Sequence, residues 1–73
     1  MTLGQRVRLL RERQCLSQAE LGASLHMTQR KISYLENDRF EPGIDDIRAM
    51  CGFFCVSADY LLGLSADLTN PKP

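Results

Sequence analysis

The sequence has no tryptophan, only five other aromatic residues and one histidine, and its nine Lys and Arg are cancelled by nine Asp and Glu. A net charge of zero excludes a polycation that binds nucleic acid or membranes by charge alone. No glycine-rich phosphate loop is present. The longest stretch without a charged or amide side chain, Ala49 to Ala58, falls far short of the ~18 residues of a membrane span. Three cysteines leave one unpaired whatever is bridged, and no secretory hydrophobic segment follows Met1, so reduced thiols in a cytoplasm are expected. At 73 residues the chain holds one domain, with little left over to wall an enzyme cleft.

What is there is a globular balance, 44% apolar and 25% charged, unlike a disordered segment of low hydrophobicity and high net charge. The zero charge is two opposite halves. Through Arg39, seven basic residues face four acidic ones, a balance of +3; from Phe40 onward two face five, a balance of −3. Such an asymmetry points to an anionic partner on the first half.

The hydrophobic period is helical throughout, without a strand pattern or an internal repeat. Thr2 with Gln5, and Ser17 with Glu20, have the capping-box spacing that opens a helix. The first helix carries Leu3, Val7 and Leu10 on one face, and the second Leu21 and Leu25. Thr28 caps a third, with Ile32 and Leu35 inward. Asn37, Asp38, Pro42 and Gly43 mark a loop. A fourth helix carries Ile44, Ile47, Met50, Cys51 and Phe54, and Ser57 caps a short fifth with Leu61 and Leu62 inward. Residues 66–73 read as a tail or linker after a domain spanning 1–65, the point from which a longer parent would continue into a C-terminal effector or oligomerisation domain.

Residues 18–37, QAELGASLHMTQRKISYLEN, place two short helices around a tight turn at His26, a helix-turn-helix. Taking Ile32 and Leu35 as inward at 100° per residue, Arg30, Ser33, Tyr34 and Asn37 point most directly outward. Gln29 and Lys31 lie on the flanks, and Thr28 and Glu36 fall nearer the buried side, where Glu36 needs a cationic partner.

This stretch, with LGQRVRLLRERQCLSQAEL before it, YLENDRFEPGIDDI after it and VSADYLLG closing it, resembles the lambda-type repressor and Cro family of bacterial and phage regulators over residues 3–63. The resemblance implies an all-α, compact five-helix DNA-binding domain and a transcriptional repressor that binds a near-palindromic operator as a homodimer. It implies base contacts from Gln29, Arg30, Tyr34, Ser33 and Thr28. Phosphate contacts are implied for Gln18, Asn37, Arg39 and Ser17, with Gln18 also bracing Gln29. Arg11 is the implied partner of Glu36. Gln and Arg suit base reading because their planar groups match adenine N6/N7 and guanine O6/N7 in the major groove. A different class, a protein-interaction module such as an antitoxin with secondary promoter binding, shares the same motif.

Four positions depart from the family pattern. Cys15, His26, Asp38 and Cys55 stand where helix exits commonly have glycine, so left-handed backbone there is expected to lower stability. Gly22 and Gly52 lie inside helices, each expected to cost about 1 kcal/mol relative to alanine. Leu9, Phe40, Phe53, Tyr60 and Leu64 have no place in the expected core; Phe53, Tyr60 and Leu64, beside the fifth helix, are the expected dimer surface. Cys51 and Cys55, one turn apart, with Cys15 and His26 do not have the spacing of a zinc module, and the one histidine has no evident orienting partner. No metal, no cofactor and no enzymatic activity are expected.

Overall fold

The computed structural model describes residues 1–64; the expected domain end at 65 and the tail at 66–73 lie outside the described residues. Five helices follow in order, α1 (Leu3–Arg13), α2 (Gln18–Leu25), α3 (Gln29–Glu36), α4 (Ile44–Phe54) and α5 (Ala58–Leu62), with no strand among the described residues. None of these helices is long and apolar enough to cross a membrane.

Local chemistry starts each helix. The Thr2 hydroxyl accepts from Gln5 N at 3.2 Å while Thr2 N donates to Gln5 Oε1 at 2.8 Å. Ser17 and Glu20 repeat this reciprocal box at 3.0 and 2.8 Å. Thr28 and Ser57 cap α3 and α5 by accepting from Lys31 N and Tyr60 N. Gly43 has no hydroxyl, and there Asp46 Oδ2 accepts from the Gly43 N–H at 3.3 Å.

All five helices stop in the same way. A backbone N–H beyond the exit returns to a carbonyl five residues earlier, as Met27 N does to Gly22 O at 2.8 Å and Arg39 N to Tyr34 O at 2.8 Å. The residue before each of these donors is left-handed: Cys15, His26, Asp38 and Cys55 at φ 57°, and Gly63 at φ 84°. A Cβ in that region costs roughly 1–2 kcal/mol, less for Asp or Asn.

The core takes Val7 and Leu10 from α1, Leu21 and Leu25 from α2, Ile32 and Leu35 from α3, Met50 and Phe54 from α4, Leu61 from α5 and Val56 from the turn before it. Two residues expected on the apolar faces are instead in solvent. Ile44, 78% exposed, is the first residue of α4 and lies off the end of the core. Leu62 is 51% exposed because a five-residue helix buries one side only, and Leu61 occupies it. Conversely, Phe40, Phe53 and Tyr60 are half-buried against the core, and Leu9 is half-buried. Phe53 meets the Phe54 ring edge-on at 5.2 Å. The Lys31 ammonium sits 5.2 Å from the centre of the Phe40 ring and 3.4 Å from Asp46 Oδ1, so Phe40 has a packing partner after all.

Two glycines set the helix spacing. A Cβ on Gly4 would lie 2.5 Å from the carbonyl oxygens of Leu35 and Glu36, so α1 approaches the end of α3 closely only because Gly4 has no side chain. A Cβ on Gly22 would lie 2.6 Å from Met27 O, which corrects its reading as a mere helix defect. Gly52 has open space.

Candidate nucleic-acid interface

Helices α2 and α3 are held against each other by the buried pairs Leu21 and Leu25, Ile32 and Leu35, with Gly22 admitting the turn backbone. That packing fixes which face of α3 is left outward. Gln29, Arg30, Tyr34 and Asn37 are exposed, Tyr34 at 45%, and Ser33 is half-buried. Thr28 is exposed rather than near the buried side, because a cap has extended backbone and the 100° projection does not reach it. Lys31 is turned away toward Asp46 and Phe40.

Beneath this face runs a chain of hydrogen bonds that starts in the core. Arg11 Nε donates to Glu36 Oε2 at 2.6 Å, and Arg11 Nη2 to Glu36 Oε1 at 3.1 Å. The third guanidinium nitrogen donates to Leu16 O at 2.7 Å. The Glu36 hydrogen bond and charge hold the Arg11 guanidinium above its ordinary pKa against the opposing effect of burial. Gln18 Nε2 donates to Glu36 Oε1 at 3.1 Å, and Gln29 Nε2 donates to Gln18 Oε1 at 3.3 Å. Four side chains from three helices are therefore linked from the buried pair to the exposed face of α3.

The remaining polar groups keep bonding capacity free. Asn37 Nδ2 donates to Ser33 O at 2.8 Å, which leaves its second N–H. The Thr28 hydroxyl accepts its cap bond and retains a proton to donate. The side chains of Arg30, Tyr34 and Arg39 have no hydrogen bond or ion pair with the described residues. The first turn of α2 also presents backbone N–H groups that no carbonyl of its own helix can satisfy.

A family model of a helix-turn-helix domain matches residues 2–68. The chain belongs to this helix-turn-helix family. The helix-turn-helix domain is 25% identical over 63 residues to the immunity repressor protein of Bacillus phage phi105, covering 86% of this chain and 44% of that one. It is 32% identical over 63 residues to the HTH-type transcriptional regulator ImmR of Bacillus subtilis (strain 168), covering 86% of this chain and 50% of the regulator. The chain thus spans about half the length of the curated relatives it matches. It superposes on the P22 c2 repressor in complex with synthetic operator 9T with a TM-score of 0.83 at 29% identity, over 89% of this chain and 98% of that one. The solution structure of the DNA-binding domain of the same repressor aligns with a TM-score of 0.80 at 29% identity, over 99% and 92% of the two chains. The all-α, five-helix architecture is that of repressor DNA-binding domains.

Two features of this helix-turn-helix were not read from its sequence. Asp38 Oδ1 accepts from Gly4 N at 3.0 Å and Oδ2 accepts from Thr2 Oγ1 at 2.6 Å, stitching the exit of α3 to the start of α1. Gly4 makes that approach sterically feasible. The only local signal was Gly4 early in a helix that otherwise has good helix formers. Of the residues grouped beside α5, Phe53 and Tyr60 are half-buried on the core and Leu64 is 75% exposed. Among the described residues no cluster of His, Cys, Asp or Glu could hold a metal ion. Cys15 and Cys55 are exposed free thiols, while burial pushes the Cys51 thiol up.

Proposed function

We propose that this domain is the sequence-specific, double-stranded DNA-binding part of a transcriptional repressor, working in the cytoplasm as a homodimer on a near-palindromic operator. One observation carries the reading: the outward face of α3 displays Gln29, Arg30 and Tyr34 on a fold shared, at a TM-score of 0.83, with a repressor in complex with its operator.

In this reading α3 lies in the major groove. Gln29 pairs with adenine N6 and N7, Arg30 pairs with guanine O6 and N7, and Thr28, Ser33 and Tyr34 line the same groove. Gln18, Ser17, Asn37, Arg39 and the free N–H groups of α2 bind phosphates and fix the register. Because the chain has no net charge, random DNA is held weakly, and discrimination rests on a few base contacts and on pairing two domains. The exposed Leu64, with the half-buried Phe53 and Tyr60, supplies the apolar surface for the two-fold partner. Relatives about twice as long are consistent with a parent that continues into an effector or oligomerisation domain.

The test compares binding of two variants to cognate and random duplexes at one salt concentration. Arg30→Ala costs about 1–3 kcal/mol on cognate DNA and relaxes one base pair, whereas Arg39→Ala weakens binding to all sequences alike. Equal losses on both duplexes for Arg30→Ala contradict base reading.

A further inference from the structure

We infer that the buried Glu36 carboxylate sets the donor and acceptor polarity of Gln29, and so decides that Gln29 reads adenine rather than guanine. The inference rests on the reading of Gln29 as a base-contacting residue, and it gives Glu36 a positioning role that the ion pair alone would not.

Hydrogen-bond logic fixes each link. An ionised carboxylate only accepts, and Glu36 is held in place by two bonds from the Arg11 fork. Its neighbour Gln18 must therefore present its NH2 group, as the Gln18 Nε2 to Glu36 Oε1 bond of 3.1 Å does. The oxygen of the Gln18 amide is then turned toward α3, where only a donor is welcome. Gln29 answers with Nε2 at 3.3 Å. Gln29 keeps one N–H and its oxygen free, a donor beside an acceptor. That pair complements adenine, which offers the N6 donor and the N7 acceptor; guanine offers two acceptors, O6 and N7, one of which would oppose the Gln29 oxygen.

Without the carboxylate the amides of Gln18 and Gln29 can both turn over. Gln29 then accepts from Gln18 and frees both of its N–H groups, the arrangement that suits guanine. A purely structural pair would alter stability and leave this preference untouched.

The test uses sites selected from random duplex DNA at one fixed salt concentration. Gln29→Ala identifies the base pair that Gln29 reads. The double variant Arg11→Met with Glu36→Leu removes the acceptor without leaving an unpaired buried charge. The expected result is an adenine-over-guanine preference about tenfold smaller at that pair, with the guanine preference of Arg30 retained at its own pair. A folded double variant with the full adenine preference overturns the inference while the reading of Gln29 stands. An unchanged profile for Gln29→Ala overturns both. Should the double variant not fold, Gln18→Met, at the half-buried start of α2, removes the middle link; the same loss supports the relay and a retained preference overturns it.

Discussion

Arg11 Nε donates to Glu36 Oε2 at 2.6 Å, between side chains that are 11% and 2% exposed. The pair ties α1 to the last residue of α3, so the helix that carries the outward Gln29 and Arg30 in its first turn is anchored at its opposite end, next to Tyr34. Removing water from two charges is expensive, and here both are compensated: the carboxylate accepts from Arg11 and Gln18, and the guanidinium also reaches Leu16 O.

Breaking one side of this pair leaves an uncompensated buried charge. Arg11→Ala is expected to cost about 3–5 kcal/mol, whereas the apolar double replacement Arg11→Met, Glu36→Leu is expected to match the wild type or exceed it. Urea denaturation of the three proteins measures the difference. A single variant as stable as the wild type would show that Glu36 finds other partners.

Gly22 in α2 and Gly52 in α4 should respond in opposite directions to the same substitution. Gly52→Ala adds a methyl into open space and is expected to stabilise by about 1 kcal/mol through helix propensity. Gly22→Ala drives a carbon to 2.6 Å from Met27 O and is expected to destabilise the domain and shift α3 against α2. Melting temperatures decide it, and two rises would mean that the turn relaxes freely.

The left-handed exits also separate. His26 at φ 57° accepts the Cβ penalty, so His26→Gly is expected to gain about 1 kcal/mol, a rise of roughly 4–8 °C in a domain this small. Asp38 shares that φ, but its carboxylate holds Gly4 N and Thr2 Oγ1. Asp38→Gly is therefore expected to lower the melting temperature despite relieving the backbone. A fall for His26→Gly would contradict the turn geometry.

The helix starts were legible because a capping box is local: Thr2 with Gln5 and Ser17 with Glu20 carry their partner three residues away. The core faces of α1 and α3 were legible for a similar reason, since periodicity alone brings Val7 and Leu10, or Ile32 and Leu35, to one side. Periodicity does not know where the neighbouring helices end, which is why Ile44 and Leu62 were placed inward and lie in solvent. Nor does it see contacts between distant segments. The Asp38 to Gly4 bond spans 34 residues, and the close approach at Gly22 depends on the path of the turn at Met27. Phe40 found its place through Lys31, a partner chosen by the fold.

Acid should loosen the start of α2. The Ser17 backbone N–H donates to Glu20, and with the Ser17 hydroxyl it holds the Glu20 carboxyl below its usual range. A depressed folded-state pKa contributes stability above the ordinary carboxylate value of about 4.3, and that stability is lost as pH falls through the lowered folded value. The melting-temperature gap between the wild type and Glu20→Ala is expected to be full at neutral pH and to close in acid. A gap independent of pH would assign the effect of Glu20 to helix propensity.

The central claim is that the exposed face of α3 reads DNA sequence, and selection of bound duplexes from a random pool at physiological salt tests it most directly. The account predicts enrichment of a two-fold sequence whose half-sites are about one DNA turn, roughly 34 Å, apart, with one position in each half relaxed by Arg30→Ala. A pool that stays random after selection with the wild-type domain would contradict it.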